Sequence, residues 1–202
     1  MEAPETSLDL ESVRTLSEDW RPVAFKEWEV VIDAIAKGEQ TVLLRKGGIS
    51  EGRAGFQWLH PQFFLYPSRF HEQVDQVRPQ TDGKPRFLAP DSGRLEKVDF
   101  RIWIETIETG RLADWEQVCA WEPWHIWKRS TVRDRFEWGD EPGISYAKIR
   151  AWKLPQPWLL DDRKSFGGCR SWFGLPASEG GDWRSQLAEA TPVQSDLGWP
   201  GS

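Results

Sequence analysis

Apolar residues recur at three- and four-residue spacing through Phe25, Trp28, Val31, Ile32 and Ile35. That period marks one buried helical face and predicts a helix over 24–36, which Gly38 ends. Gln40 to Arg45 then reads as a strand, and Lys46-Gly47-Gly48 as a turn. Short apolar runs predict further strands at 56–58 and 63–66, with Pro67 closing the second. A short helix follows over 68–77, and the Pro- and Gly-rich stretch 78–95 is a long connection. Val98, Phe100, Ile102 and Ile104 alternate with Asp99, Arg101, Trp103 and Glu105, the clearest half-buried strand pattern in the chain. Helices over 112–121 and 131–136, a strand over 144–154 and an extended segment over 167–175 complete the reading. Residues 1–20 have no sustained period and read as a tail. Residues 21–175 form one globular domain, and 176–202 read as a Gly-, Pro- and Ser-rich tail with a short helix near 183–190.

Composition changes this picture in two ways. The net charge of -6 over 202 residues argues against a sequence-blind nucleic-acid binder, whose affinity comes from neutralising phosphates. That acidity sits at the ends, because residues 21–175 carry 24 basic and 22 acidic side chains. The middle therefore permits local phosphate contact. The second feature is 14 tryptophans, whose rings fill cores and also stack on bases. Trp103 and Trp152 share strand faces with charged residues, which marks them as ligand-stacking candidates. No apolar run is long enough for a membrane span. No basic start followed by an apolar stretch opens the chain, so a cytoplasmic protein is expected. Two cysteines and three scattered histidines give no zinc spacing, so neither a metal nor a cofactor is expected.

Candidate chemistry is spread along the chain. Arg45-Lys46-Gly47-Gly48 places two cations beside a flexible backbone whose N–H groups can turn toward one anion; an ordinary turn with solvated charges is the alternative. His71-Glu72 suits an acid/base pair, or a histidine held by backbone groups at a helix start. His125, between Trp124 and Trp127, suits a hydrogen-bonded core histidine. Lys26 and Glu27 open the first predicted helix, where Glu27 fits the positive helix end and Lys26 does not. Lys128, Arg129, Arg133 and Arg135 cluster on the third helix, either as a solvated face or as a phosphate-contact surface. Arg170, beside Cys169 and Trp172, is a further anion-binding candidate.

Several separated motifs resemble one family in the right order. Phe25-Lys26-Glu27-Trp28, Leu43-Leu44-Arg45-Lys46-Gly47-Gly48-Ile49, Phe63-Phe64-Leu65-Tyr66-Pro67 and His71-Glu72-Gln73 resemble the first half of the bacterial domain of unknown function 1802. His125-Ile126-Trp127 and Gly167-Gly168-Cys169-Arg170-Ser171-Trp172 resemble its second half, so the likeness spans about residues 22 to 176. The family has no assigned activity; the association of some members with restriction-endonuclease-type domains points toward nucleic acid. The order of helix, Gly38, strand and Arg45, with the late strand Tyr146 to Trp152 running into Leu154-Pro155, is also similar to PUA-like domains of the ASCH and EVE groups. Gln40 stands where the ASCH group has Lys and Leu43 where it has Glu, a departure that favours binding over ASCH-type hydrolysis.

These readings together predict a mixed α+β fold, a PUA-like pseudo-barrel of short strands with small flanking helices. The expected function is binding of a nucleotide or of nucleic acid, including a modified base. The expected ligand-binding set is Arg45, Lys46, Gly47, Gly48, Tyr66, His125, Trp152 and Arg170. Two alternatives stand beside it. One is a hydrolase of nucleotides or nucleic acid that uses Lys26, Glu27, His71 and Glu72. The other is a Trp-rich module for a protein partner.

Overall fold

The structure, a computed structural model, describes residues 16, 19–46, 56–69, 71–86 and 96–201. It is mixed α+β, as the sequence predicts. Strands β1 (Val23–Trp28), β2 (Val42–Arg45), β3 (Gln62–Ser68), β4 (Lys97–Leu112), β5 (Ile144–Asp161) and β6 (Trp172–Gly174) form one sheet in the order β2-β5-β4-β3-β1-β6. A short β7 (Thr191–Pro192) pairs with β5. The pair β1–β3 is parallel and the other pairs are antiparallel. The helices are short: α1 (Glu29–Ala36), α2 (Trp115–Ala120), α3 (Arg129–Glu137) and α4 (Trp183–Ala188). The sheet is rolled, because Arg45 from the β2 end reaches across to the backbone of β1 near the other end, its Nη2 donating to Lys26 O at 2.6 Å.

Both faces of the sheet are covered. One core gathers Phe25, Ile32, Leu43, Ile104 and Trp127; the other gathers Ala24, Phe64, Trp103, Trp152 and Trp158. The helix expected over 24–36 begins only at Glu29. Val23–Trp28 is a strand instead, flanked on both sides by ladder partners, and those long-range pairings outweigh the helical spacing of its apolar residues.

The alternation in β4 does not survive as a single inward face either. The β4–β5 register slips between Phe100 and Ile102. Val98 and Phe100 therefore enter one core while Ile102 and Ile104 enter the other, since a register slip exchanges faces. Trp103 follows the opposite parity, lies fully buried and packs on Trp152, its cross-strand partner, at 6.4 Å between ring centroids. Trp152 is thus a core residue and not the stacking platform expected from its charged neighbours.

The C-terminal segment also departs from its reading as a tail. Trp183 and Leu187 are buried, Thr41 Oγ1 donates to Gly198 O at 2.8 Å, and the Trp199 indole donates to Ile149 O at 2.9 Å. Its Gly and Pro content masked these anchor points. Gly38, at φ 74°, has the Gln194 carbonyl oxygen 2.1 Å from where a Cβ would stand, so only glycine fits beneath this strap.

Candidate functional site

Alternation along β1 decides the site. Side chains of successive strand residues point to opposite faces, so Lys26 and Glu27 diverge. Glu27, at 1% exposure, lies on the α1 side, and its Oε2 meets Arg45 Nη2 at 2.9 Å. Its other oxygen accepts from Trp28 N at 2.7 Å. Arg45 in turn lies over the Phe25 ring at 4.6 Å.

A second guanidinium completes this group. Arg135, in the last turn of α3, lies 3.8 Å from the Trp127 ring centroid and 5.3 Å from that of Trp28; the two indoles meet edge to face at 4.8 Å. Its Nη1 is buried with no hydrogen-bond acceptor. Burial pushes its pKa down to about 10, the Arg45 charge acts in the same direction, and Glu27 offsets part of the effect. It remains a cation at neutral pH.

His125 belongs to the same neighbourhood. Burial, then the charges of Arg78 and Arg135, push its pKa down to about 3. It is neutral at physiological pH, and its Nδ1 is buried without a partner. Arg78 donates to His125 O and to Glu122 O, which fixes the backbone of the turn. A cleft of about 660 Å³ opens beside Ile126, between Arg78 to Arg86 and Gln194 to Leu197. Its Arg86 is already paired with Glu39 at 2.6 Å.

The remaining expected residues fall in different places. Lys46 Nζ is engaged by three carbonyl oxygens, Phe136 at 3.2 Å, Glu141 at 2.6 Å and Gly143 at 3.0 Å. It fastens the turn after α3 and has no donor left for a ligand, a physical reason to remove it from the contact set. Gly47 and Gly48 lie outside the described residues. His71 and Glu72 open a 3-10 turn, His71–Gln76, and their side chains also lie outside that description.

Lys26, Tyr66 and Arg170 do come together, on the opposite face from Arg45. Lys26 Nζ donates to Gly168 O at 2.7 Å and sits 5.8 Å from the Tyr66 ring and 5.6 Å from that of Phe173. Its pKa is lowered by burial and then by Arg170, against weaker opposing effects of Cys169 and Asp162. Arg170 is exposed and donates to Ser165 O at 2.9 Å.

The basic cluster of α3 divides. Arg129 pairs with Glu122 at 2.5 Å, and Arg133 pairs with Glu137 one turn on. Arg135 alone turns inward. Its sequence signal was the aromatic turn from Trp124 to Trp127, close enough along the chain to fold back on it. Gln40 is buried. Its Nε2 donates to Val42 O at 2.8 Å and its Oε1 accepts from Ile126 N at 3.1 Å, so it is a structural bridge.

Among the described residues no three His, Cys, Asp or Glu side chains group as metal ligands, and no helix is long and apolar enough to cross a membrane.

Comparison with known proteins gives one matching family and a distant structural likeness. The profile of the family described as Domain of unknown function (DUF1802) matches residues 24–197. The crystal structure of ASCH from Zymomonas mobilis is similar with a TM-score of 0.46 and 13% identity, over 86% of this chain and 99% of that one. Crystal structures of two mutant forms of that ASCH protein are similar with a TM-score of 0.48, at 11% and 12% identity, over 85% of this chain and 100% and 97% of theirs. No curated protein sequence matches the chain.

Proposed function

The chain belongs to the DUF1802 family, whose profile spans most of it, and we propose that it binds the phosphate of a nucleotide or of nucleic acid where Arg45 and Arg135 converge. One observation carries this reading. Arg135 is a charged side chain with a fully buried, unpartnered Nη1, held on Trp127 beside a second arginine. Leaving a buried donor without an acceptor costs about 1–3 kcal/mol, and more when the group is charged. An anion supplies the missing acceptor, and guanidinium matches phosphate oxygens in geometry as well as in charge. The adjacent indole of Trp28, half-buried, offers ring surface of the kind on which bases stack.

The hydrolase alternative is weaker. Its Lys26 and Glu27 point to opposite faces, and the Glu27 carboxylate is held by Arg45, so neither is free to serve the other in proton transfer.

The test is titration of intrinsic Trp fluorescence with mononucleotides and short oligonucleotides, unmodified and base-modified, for the native protein and for Arg135→Gln. Saturable quenching by the native protein, weakened roughly tenfold or more in the variant, is expected from the loss of a charge-assisted hydrogen bond. Equal titrations of the two proteins would remove Arg135 from the site. No response to any ligand by the folded protein would end the nucleic-acid reading.

A further inference from the structure

The charge count at the Arg45–Arg135 site narrows what kind of phosphate fits. Glu27 is the single carboxylate paired with Arg45 among the described residues, and Arg135 has no ion pair among them. Three carboxylates on α1, on α3 and in the turn before it are engaged elsewhere. Glu29 pairs with Arg69 and Arg101, Glu122 with Arg129, and Glu137 with Arg133. His125 is buried close by but neutral, so it adds a hydrogen-bonding nitrogen and no charge. Lys46 spends its three donors on carbonyl oxygens. The group Arg45, Arg135 and Glu27 thus holds one positive charge in excess, in surroundings largely withdrawn from water.

Resting on the phosphate-binding reading above, we infer that this site takes the singly charged phosphodiester inside a nucleic-acid strand, in preference to the doubly charged terminal phosphate of a nucleotide. A diester brings one negative charge and neutralises the excess. A terminal phosphate carries up to two charges near neutral pH, and its second charge would lie buried near Glu27 without compensation. An unpaired buried charge is among the costliest defects a site can hold.

The experiment compares one trinucleotide with and without a terminal phosphate, using calorimetry and Trp fluorescence at pH 8. Binding within about twofold for the two forms is expected, because the internal linkages are the ligand. A tenfold or greater loss on removing the terminal phosphate overturns the inference and leaves the phosphate-binding reading standing. If neither form binds, that reading fails and the inference with it. Glu27→Gln is a second measurement, made on protein verified as folded. Removing the carboxylate raises the excess charge to two, so the terminally phosphorylated form should then bind roughly tenfold better than the form without it. An unchanged ratio in the variant overturns the charge argument.

Discussion

Lys26 and Glu27 are consecutive residues of opposite charge, yet they occupy unlike regions. On the Glu27 face, two arginines, one carboxylate and a neutral histidine are packed between Phe25, Trp28 and Trp127. On the Lys26 face, an ammonium hydrogen-bonds a loop carbonyl and lies against Tyr66 and Phe173, with the exposed Arg170 beside it. Both faces are cationic and aromatic, so composition cannot separate them. Access to water does. Where solvent screens a charge, adding or removing one changes little; where it does not, each charge must be matched.

The sharpest way to break this comparison is to neutralise the two neighbours in turn. Glu27→Gln keeps the side-chain shape but removes the carboxylate that pairs with Arg45 and offsets the charge of Arg135. A loss of about 3–5 kcal/mol is expected, the usual cost of removing one partner of a buried pair. Lys26→Met should cost at most about 1 kcal/mol, because it gives up one hydrogen bond and keeps the stem packed on the rings. Urea unfolding of both variants measures the difference. Similar losses would mean that the two faces are not energetically distinct.

A smaller effect sharpens the contrast through pH. His125 has a folded pKa pushed down to about 3, against about 6.5 when unfolded. Between those values the unfolded chain binds a proton that the folded chain does not. Stability contributed by this histidine is therefore complete above about pH 6.5 and declines as pH falls toward 3, by up to about 1.4 kcal/mol per pH unit. At pH 5 the loss is about 2 kcal/mol. His125→Gln should flatten that part of the profile, and parallel profiles for variant and native protein would contradict the assignment. The Lys26 face has no such dependence in this range, since a lysine pKa lowered from 10.5 titrates on the alkaline side.

Much of this arrangement was legible in the sequence, and the exceptions share a cause. The strand ending in Arg45, the late strand from Ile144 and the inward role of His125 followed from local pattern and from the family motifs. Three things did not. Phe25 to Trp28 carries a helical spacing that the sheet overrides, which hid the separation of Lys26 from Glu27. The register slip after Phe100 turns Trp103 inward, and with it Trp152. Arg135 looked like any basic residue on a solvated helix, because only the packing of α3 on Trp127 shows which of its arginines is desolvated. The first two misses concern contacts between segments far apart in sequence, where period and spacing carry no information; the third concerns how α3 folds back on the neighbouring Trp127.

The smallest expected effect tests the exposed region itself. Arg170→Ala removes a solvent-facing cation bonded to Ser165 O, and stability should stay within about 0.5 kcal/mol of native. Its influence on oligonucleotide affinity should be no more than about threefold at low salt. It should fade as ionic strength rises, because exposed charges more than about 10 Å from a phosphate are screened at 0.1 M salt. The contribution of Arg135, packed on Trp127, should persist over the same salt range. Titrating both arginine variants with one oligonucleotide at two salt concentrations gives the comparison directly. A salt-resistant loss in Arg170→Ala that equals the loss in Arg135→Gln would move the binding site to the Lys26 face.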